Sequence, residues 1–410
     1  MQDIATVSDL GASDAAAAIA AASAAQREWR SASVDTRTSR IESWAALIEA
    51  NAEDLGNIIT AESGKPLREA RGEAGQCAAL LRWFAERARE LQGETLPALE
   101  SGQVNSTIKQ PVGVVACITP WNFPAAAVVV KAGAAIAAGC AAIVKPSDAT
   151  PLIALALARL ADRARIPAGV LNVLPCQHPT AIGAALCESP DVRMLSFTGS
   201  TRVGKHLYAA CGATIKRLAL ELGGNAPFVV FDDADLDAAI DGAMGARFYN
   251  SGQICVGANR FLIQDGIYAD FAERFSARVS ALTFGDGRDE ASDIGPMINR
   301  AAVDRLTQLV ASSTEMGANV LAGGKQQDSD SLFFQPTVLA NMTPDMPAWQ
   351  TEVFGPVACL YSFATEAEAL ELANATQAGL AAYVYTSNPE PVSYTHLTLP
   401  TITSGCRARG

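Results

Sequence analysis

The sequence predicts an α/β protein in which a doubly wound parallel sheet is followed by a second α/β unit. The 410 residues are 49% hydrophobic and 18% charged, which is typical of a globular chain long enough for two or three domains. Short apolar runs alternate with helical segments from residue 112 to 224, and the alternation restarts after Gly224. Strands that are apolar throughout are typical of parallel sheets covered by helices on both faces. Such a sheet is the usual host of a nucleotide.

The elements of the first half follow from residue spacing. Alanine, leucine and isoleucine recur at helical intervals over 13–30, 38–60 and 69–91, which predicts three helices. Turn residues and the alternating run 104–108 predict a hairpin near 95–111. Beyond it, predicted strands and helices alternate over 112–119, 125–139, 141–146, 151–164, 169–175, 179–189, 192–199, 200–212 and 217–224.

The second α/β unit continues to about Tyr385. The run 227–231 predicts a strand, and the helix predicted over 232–252 has acidic residues in its first turn, as a helix N-terminus favours. A loop with the sequence GQICVGANR separates this helix from a strand predicted over 261–266. We expect the two units to form one compact pair with a cleft between them.

Composition excludes several classes of protein. A net charge of −12 disfavours nucleic-acid binding, because an acidic surface repels phosphate backbones. Nine cysteines form no CxxC pair and no Cys/His cluster, which argues against a metal site and a disulfide framework and favours a reducing compartment. The acidic N-terminus does not resemble a signal peptide, so we expect a cytoplasmic protein. Lys131 and two glycines interrupt the apolar run 125–144, which predicts a buried helix and strand and no membrane span.

Cys255 is a candidate nucleophile, because it lies in a polar loop between Gly252 and Gly257, where small neighbours let a substrate approach the sulfur. A buried structural cysteine is the alternative, and for a lone cysteine it is the commoner case. With only three histidines in the chain, a carboxylate, lysine or thiol is expected to transfer protons. Glu221, at the predicted carboxyl end of a strand, is such a carboxylate; the alternative is a capping or salt-bridging acid.

Three more segments follow predicted strands. The Asn122 amide could stabilise an oxyanion, although an Asx turn between two prolines is the simpler explanation. GSTRVG at 199–204 opens a helix whose N-terminal amides could hold a pyrophosphate, but so short a pattern is weak evidence. Lys145 ends a strand, where it either reaches a ribose or phosphate or is only solvated. Glu352 and Phe354, in EVFGPV, have no interpretation by themselves.

Together these segments resemble the aldehyde dehydrogenase superfamily, nearest its succinate-semialdehyde dehydrogenase branch. TPWNFP, IVKPSD, FTGSTRVG, LELGGNAP, GQICVGANR and EVFGPV occur in that family's order and approximate spacing. The resemblance implies an aldehyde dehydrogenase-like α/β fold. Its implied parts are an NAD(P)-binding domain over 1–92 and 112–223, an oligomerisation hairpin over 93–111 and an incomplete catalytic domain over 224–391.

The resemblance also implies roles for individual residues. Cys255 would be the nucleophile, Glu221 the general base and Asn122 part of the oxyanion hole, and the three would converge on one pocket between the domains. Lys131 resembles a lysine near the family's proton-exit route. Arg260 matches one of two arginines that hold a substrate carboxylate, and Val130 stands in place of the other. The implied contacts to NAD or NADP are Thr119, Trp121, Lys145, Ser147, Asp148, Gly199, Ser200, Glu352 and Phe354.

The implied function is NAD(P)-dependent, non-acylating oxidation of an aldehyde to a carboxylate through a cysteine thiohemiacetal and thioester, with a semialdehyde such as succinate semialdehyde as substrate. The alternatives are a silent nucleotide-binding fragment, a thiol esterase without cofactor, and oxidation of a non-acidic aldehyde. Asp148 stands three residues after Lys145, where relatives that favour NAD often carry an acid. Its carboxylate would accept hydrogen bonds from the adenosine ribose and repel the additional phosphate of NADP, so we expect NAD to be used at least as well as NADP. Residues 392–410 depart from the family, so we expect a non-native tail and a truncated chain impaired in the homo-oligomeric assembly of full-length relatives.

Overall fold

The computed structural model describes residues 4–388, which divide into two compact units. The first unit covers 4–62 and Ala70–Glu221, and the second covers Ser63–Glu69 and 222–388. The sequence did not separate Ser63–Glu69 from its surroundings. This segment belongs to the second unit because the Leu67 amide donates to the Gly287 carbonyl at 2.8 Å and Gly64 packs on Pro296. The tail 392–410, with His396 and Cys406, lies outside the described residues.

Four helices open the chain: α1 (Ala12–Trp29), α2 (Val34–Ala50), α3 (Ala52–Ser63) and α4 (Leu67–Arg89). The single helix predicted over 38–60 is wrong, because the chain breaks at Asn51. The Asn51 side chain donates back to the Leu47 carbonyl at 2.6 Å and ends α2. Glu53 and Asp54 then occupy the first turn of α3, where carboxylates favour a helix start.

The predicted hairpin is present. Strands β1 (Thr95–Leu96) and β2 (Asn105–Ser106) pair antiparallel, with Thr95 opposite Ser106. Both strands are short and lie largely in solvent, and Leu99 and Val104 between them are 90% and 85% exposed. A role for this hairpin in oligomerisation stays a prediction.

The first unit contains the predicted parallel sheet. Its strands are β3 (Val114–Ile118), β4 (Ala141–Lys145), β5 (Leu171–Val173), β6 (Val192–Thr198) and β7 (Arg217–Glu221). They pair in parallel in the order β5-β4-β3-β6-β7. The helices between them are α5 (Pro124–Val128), α6 (Ala134–Ala137), α7 (Pro151–Arg163), α8 (Pro179–Glu188) and α9 (Thr201–Cys211). The doubly wound α/β class predicted from the sequence is confirmed.

Two details of this unit differ from the prediction. Strand β7 lies at the sheet edge and is only half-buried, so Glu221 is not the fully buried acid that an apolar strand suggested. The helix predicted over 125–139 is interrupted by a π-helical turn over Val129–Gly133. Such turns are frequent at functional sites, and this one contains Lys131.

The second unit has a six-stranded sheet in the order β10-β11-β12-β9-β8-β13, in which only the β10–β11 pair is antiparallel. Its strands are β8 (Ala226–Val230), β9 (Ala258–Gln264), β10 (Asn319–Ala322), β11 (Thr337–Ala340), β12 (Val357–Phe363) and β13 (Tyr383–Tyr385). Its helices are α10 (Leu236–Phe248), α11 (Asp265–Ser280), α12 (Arg300–Glu315), α13 (Pro347–Gln350) and α14 (Glu366–Asn374). Strand β9 begins three residues before the predicted 261, so Arg260 lies in a buried strand and not in a loop.

Two features are absent from the described part of the chain. No helix within residues 4–388 is long and apolar enough to cross a membrane. The same residues contain no group of three or more histidine, cysteine or acidic side chains that could hold a metal ion.

Candidate active site

In the first unit, the predicted site residues collect at the carboxyl ends of the parallel strands, where doubly wound sheets bind their ligands. Thr119, Trp121 and Asn122 directly follow β3, and Lys145 ends β4 with Ser147 and Asp148 just beyond it. Gly199 and Ser200 follow β6, and Glu221 ends β7 opposite Thr198. One edge of one sheet therefore carries every candidate from this half of the chain except Lys131.

Asn122 is held in a buried turn that Glu73 supports. The amides of Ala125 and Ala126, at the start of α5, both donate to the Glu73 carboxylate, at 2.9 and 3.0 Å. A carboxylate at these otherwise unpaired donors fixes where the helix begins. Because Asn122 is 5% exposed and only two residues before α5, this contact restricts its backbone.

Lys131 is buried and lies within electrostatic range of Glu221. The Lys131 amine donates to the Ser196 hydroxyl at 3.0 Å. Burial lowers the pKa of Lys131, and the nearby Cys117 thiol and Glu221 carboxylate partly oppose that shift. Lys131 therefore lies within the electrostatic field of the predicted base.

The strand ends of the first unit fit the phosphate and ribose groups of a dinucleotide. The Thr119 hydroxyl is buried and has no hydrogen-bond partner within residues 4–388. Lys145 and Ser147 are also buried, at 7% and 9% exposure, and burial lowers the pKa of Lys145. Ser200 caps α9 by accepting from the Val203 amide at 3.4 Å, which leaves an N-terminal turn suited to an anion.

In the second unit, Cys255 lies in a loop over 250–257 whose backbone is strained. Asn250, Ser251 and Gly252 are three consecutive left-handed residues, with φ of 49°, 56° and 72°. The Glu69 carboxylate accepts from the Asn250 amide at 2.7 Å, and the Ser251 hydroxyl donates to the Gly295 carbonyl at 2.9 Å. Strain of this kind persists only where the surroundings enforce it, and it clusters at functional sites.

Cys255 itself is half-buried, whereas the seven other cysteines within residues 4–388 are all buried. Their burial is typical of structural cysteines. A partly exposed thiol on a short loop is accessible to a small substrate, as the predicted role of a nucleophile requires.

Two other segments pack against the Cys255 loop. A side chain on Gly223 would collide with the Glu352 carboxylate, and the Gly224 amide donates to Glu352 Oε1 at 3.3 Å. Burial raises the pKa of Glu352. Phe354 has a left-handed φ of 44°, and the segment over 352–354 is held because Arg305 donates to its carbonyls, at 2.6 Å for Val353.

Arg260 binds the backbone of the second unit. Its guanidinium is fully buried and donates to the carbonyls of Asn225 at 2.9 Å, Leu372 at 2.7 Å and Ala373 at 2.9 Å. It also lies 4.9 Å above the Trp349 ring. All three of its nitrogens donate to backbone carbonyls of the second unit. These contacts give Arg260 a structural role within the second unit, and its role as a substrate anchor stays a prediction.

Sequence reasoning missed the residues that support the loops. Arg247, Arg305, Glu69 and Glu73 bind backbone groups of loops that carry predicted site residues, and none lies in a recognisable motif. The local sequence pattern does not predict the burial of these side chains, because charged residues in helices are usually solvated. Their buried partners come from distant parts of the fold. The convergence of Cys255 with Glu221 and Asn122 stays a prediction.

Both the fold and these motifs are those of one family. The chain belongs to the aldehyde dehydrogenase family, whose sequence profile, described as "Aldehyde dehydrogenase family", matches residues 1–399. It is therefore an enzyme of the aldehyde dehydrogenase class.

Individual relatives agree with this assignment. The chain is 46% identical over 380 residues to the Escherichia coli succinate-semialdehyde dehydrogenase (NADP(+)), covering 93% of this chain and 79% of the relative. It is 46% identical over 383 residues to the Pseudomonas putida 3-sulfolactaldehyde dehydrogenase, covering 93% and 79%. The crystal structure of the Burkholderia pseudomallei succinate-semialdehyde dehydrogenase superposes with a TM-score of 0.95 at 46% identity, covering 96% of this chain and 82% of that one.

Proposed function

We propose that this protein oxidises a semialdehyde, with succinate semialdehyde as the first candidate, to a carboxylate with NAD or NADP, and that Cys255 is the nucleophile. The observation that carries the proposal is the half-buried Cys255 on a strained loop, next to Gly224, which in turn binds the half-buried Glu352 carboxylate. The names of the relatives from Escherichia coli and Burkholderia pseudomallei support a semialdehyde substrate.

In the first step, the Cys255 thiolate bonds to the aldehyde carbon, and the carbonyl oxygen becomes an oxyanion. The Asn122 amide and the Cys255 backbone amide donate to this oxyanion, whose charge they stabilise. Asn122 suits this task because the Glu73 contact at the start of α5 restricts its position before substrate arrives. When bound, NAD or NADP supplies the acceptor for the hydride that leaves the thiohemiacetal carbon.

In the second step, Glu221 takes a proton from water, and the resulting hydroxide attacks the thioester carbon. The C–S bond breaks and restores the Cys255 thiolate. The acid product loses its proton to solvent and leaves as the carboxylate, and Glu221 releases to solvent the proton that it took. Lys131 lies within electrostatic range of Glu221, whose carboxylate partly opposes the lowering of the Lys131 pKa by burial. A carboxylate base also agrees with a chain that has only three histidines.

The residues present fit a dinucleotide. Thr119, Lys145, Ser147 and the Gly199–Ser200 turn would hold its adenosine and phosphate groups, with Trp121 and Asp148 beside them. The unpaired Thr119 hydroxyl supports this, because an orphaned buried donor is expected where a ligand completes a site. Glu352 and Phe354 would hold the nicotinamide ribose, and the support that Arg305 gives their segment suits such a contact.

A second candidate function is oxidation of a non-acidic aldehyde. Arg260 directs four hydrogen bonds to backbone carbonyls, and Val130 is apolar where the semialdehyde branch tends to have an arginine. A site that lacks both guanidinium groups loses charged hydrogen bonds that contribute about 1.5–3 kcal/mol each.

A substrate panel separates these candidates. NAD(P)H formation is followed by absorbance with succinate semialdehyde, 3-sulfolactaldehyde, butanal and benzaldehyde. A kcat/KM at least tenfold higher for succinate semialdehyde supports the first candidate, and a reversed order supports the second. Cofactor binding without turnover of any aldehyde would mean a silent fragment, and ester hydrolysis without cofactor would mean a thiol esterase.

The nucleophile is tested by Cys255→Ala, which we expect to abolish NAD(P)H formation while NADH and NADPH still bind, as measured by fluorescence titration. Cys211→Ala, which removes a buried cysteine of α9, is the matched control and should keep activity within about twofold, because its cost is one of packing. Turnover by Cys255→Ala would overturn the proposal.

A further inference from the structure

Arg247, in the last turn of α10, lies beneath the Cys255 loop and is fully buried. Its Nη2 donates to the Gly252 carbonyl at 2.7 Å, and its Nη1 donates to the Ala258 carbonyl at 2.9 Å. One carbonyl precedes Cys255 by three residues and the other follows it by three. The guanidinium therefore binds the chain on both sides of Cys255.

The shape of the guanidinium matters for this contact. Its nitrogens lie in a rigid plane, so two of them can bind two carbonyls in a set geometry, whereas a lysine amine is a single point charge. The Gly252 carbonyl also closes the left-handed turn over 250–252, the most strained part of the loop. Binding this carbonyl therefore holds the strained turn in place.

The same side chain reaches the two neighbouring segments through Asn259. Arg247 Nη1 donates to Asn259 Oδ1 at 2.8 Å, and that oxygen also accepts from the Val353 amide at 3.3 Å. The Asn259 amide in turn donates to Asn225 Oδ1 at 3.2 Å. Movement of Arg247 would therefore displace groups in three segments: the Cys255 loop, the segment after Glu352 and the segment after Gly224.

Stability alone does not account for this arginine. The acceptors of its hydrogen bonds are neutral, and its Nε is buried with no hydrogen-bond partner within residues 4–388. A buried cation without a bound carboxylate is costly to desolvate, and apolar residues of similar size often replace such groups without loss of stability.

We infer that Arg247 is a positioning residue for the Cys255 nucleophile: it sets the conformation of the Cys255 loop and, through Asn259, the distance between this loop and the segment of Glu352. The inference rests on the proposed role of Cys255. Tyr383 holds the outer side of the same loop, where its phenol donates to the Val256 carbonyl at 2.8 Å. Arg247 and Tyr383 thus hold the loop from two sides.

The test compares Arg247→Met and Arg247→Lys with Arg305→Met in the full chain. Arg305 is a matched control, because it also binds backbone carbonyls, but those of 352–354. The first readout is amide hydrogen exchange by mass spectrometry. Arg247→Met should accelerate exchange in peptides over 252–258 at least about tenfold, as expected for local opening. Arg305→Met should accelerate it over 352–354 and leave 252–258 unchanged.

The second readout is kcat divided by the fraction of Cys255 thiols that iodoacetamide can alkylate. Peptide mass mapping measures this fraction. Arg247→Met should lower this kcat about 10- to 100-fold with KM for the aldehyde within about threefold, because misplacement of a reacting atom by about 1 Å costs about that much. Arg247→Lys should give an intermediate value. A merely structural role would instead lower the number of alkylable sites and leave kcat per site unchanged.

Wild-type exchange over 252–258, or an unchanged kcat per site, in Arg247→Met would overturn the inference. Should Arg247→Met not fold, Arg247→Lys decides by the same two readouts. Activity in Cys255→Ala defeats the proposed function itself, whereas an inactive Cys255→Ala beside a normal Arg247→Met defeats only the role of Arg247.

Discussion

Gly224 lies so close to Cys255 that a side chain on the glycine would overlap the cysteine's carbonyl oxygen. The Gly224 amide meanwhile donates to Glu352 Oε1 at 3.3 Å. The glycine thus fills the narrow space between the nucleophile loop and the acid predicted to hold the nicotinamide ribose.

Replacement of this glycine should therefore disable the enzyme. In Gly224→Ala the new methyl group displaces the Cys255 carbonyl, and we expect kcat/KM to fall at least about 100-fold, with a stability cost of about 1–3 kcal/mol for overpacking. The matched control is Gly245→Ala, in helix α10, where an added methyl group contacts nothing within 4 Å. The control should retain activity and gain up to about 1 kcal/mol. Equal activities of the two variants would show that the close approach has no consequence.

Arg260→Lys tests the structural role of that arginine. A lysine cannot bind the Asn225, Leu372 and Ala373 carbonyls together, so we expect a cost of about 2–4 kcal/mol and a fall in Tm of about 5 °C or more. The ratio of kcat/KM for succinate semialdehyde to that for butanal should stay within about twofold. A tenfold fall in this ratio with an unchanged Tm would instead support Arg260 as a substrate anchor.

Glu62 should make the stability of the protein depend on pH. Its carboxylate accepts from the Leu152 and Ile153 amides at the start of α7, and burial raises its pKa to about 7. Between its unfolded pKa near 4.5 and this value, the folded chain binds a proton that the unfolded chain releases. The contribution of Glu62 is thus fully present below about pH 4.5 and is lost as the pH rises through about 7.

The Glu62→Gln variant, whose side chain does not titrate, isolates this effect. The difference in unfolding free energy between wild type and variant, measured in urea across pH 4.5–8, should decline by about 1–2 kcal/mol as the pH rises. Two parallel pH curves would contradict the raised pKa.

Asp148 should influence the choice between the two cofactors. It is exposed just beyond β4, and the Ser147 hydroxyl lies 3.3 Å from its carboxylate. A carboxylate there accepts from the ribose hydroxyls of NAD and repels the additional phosphate of NADP. In Asp148→Ser, kcat/KM for NADP relative to NAD should rise about tenfold, equivalent to about 1.4 kcal/mol. An unchanged ratio would mean that Asp148 does not contact the ribose.

The sequence carried enough information to predict the strand ends and the Cys255 loop, because both depend on local pattern. Apolar runs bounded by turns placed Asn122, Lys145 and Glu221 at one sheet edge, and the glycines around Cys255 marked a loop between a helix and a strand. Parallel topology then brings the strand ends together without further information.

What the sequence could not provide depends on contacts between distant residues. In the sequence, Arg247 is a basic residue in the last turn of a predicted helix, and such a residue is normally solvated. Its burial depends on the folded structure. The Arg260 acceptors Leu372 and Ala373 lie 112 and 113 residues further along the chain. Neither the left-handed Ser251 nor the π-helical turn around Lys131 has a residue pattern that predicts it.

The bond between the Glu69 carboxylate and the Asn250 amide also limits when this protein can mature on the ribosome. The two residues are 181 positions apart. At a translation rate of about 5–20 residues per second, roughly 10–35 seconds pass between synthesis of the acceptor and of its donor. During that interval Ser63–Glu69 has been synthesised but most of the unit to which it belongs has not. The loop that carries the thiol can therefore bind the Glu69 carboxylate only after more than half of the chain has been made.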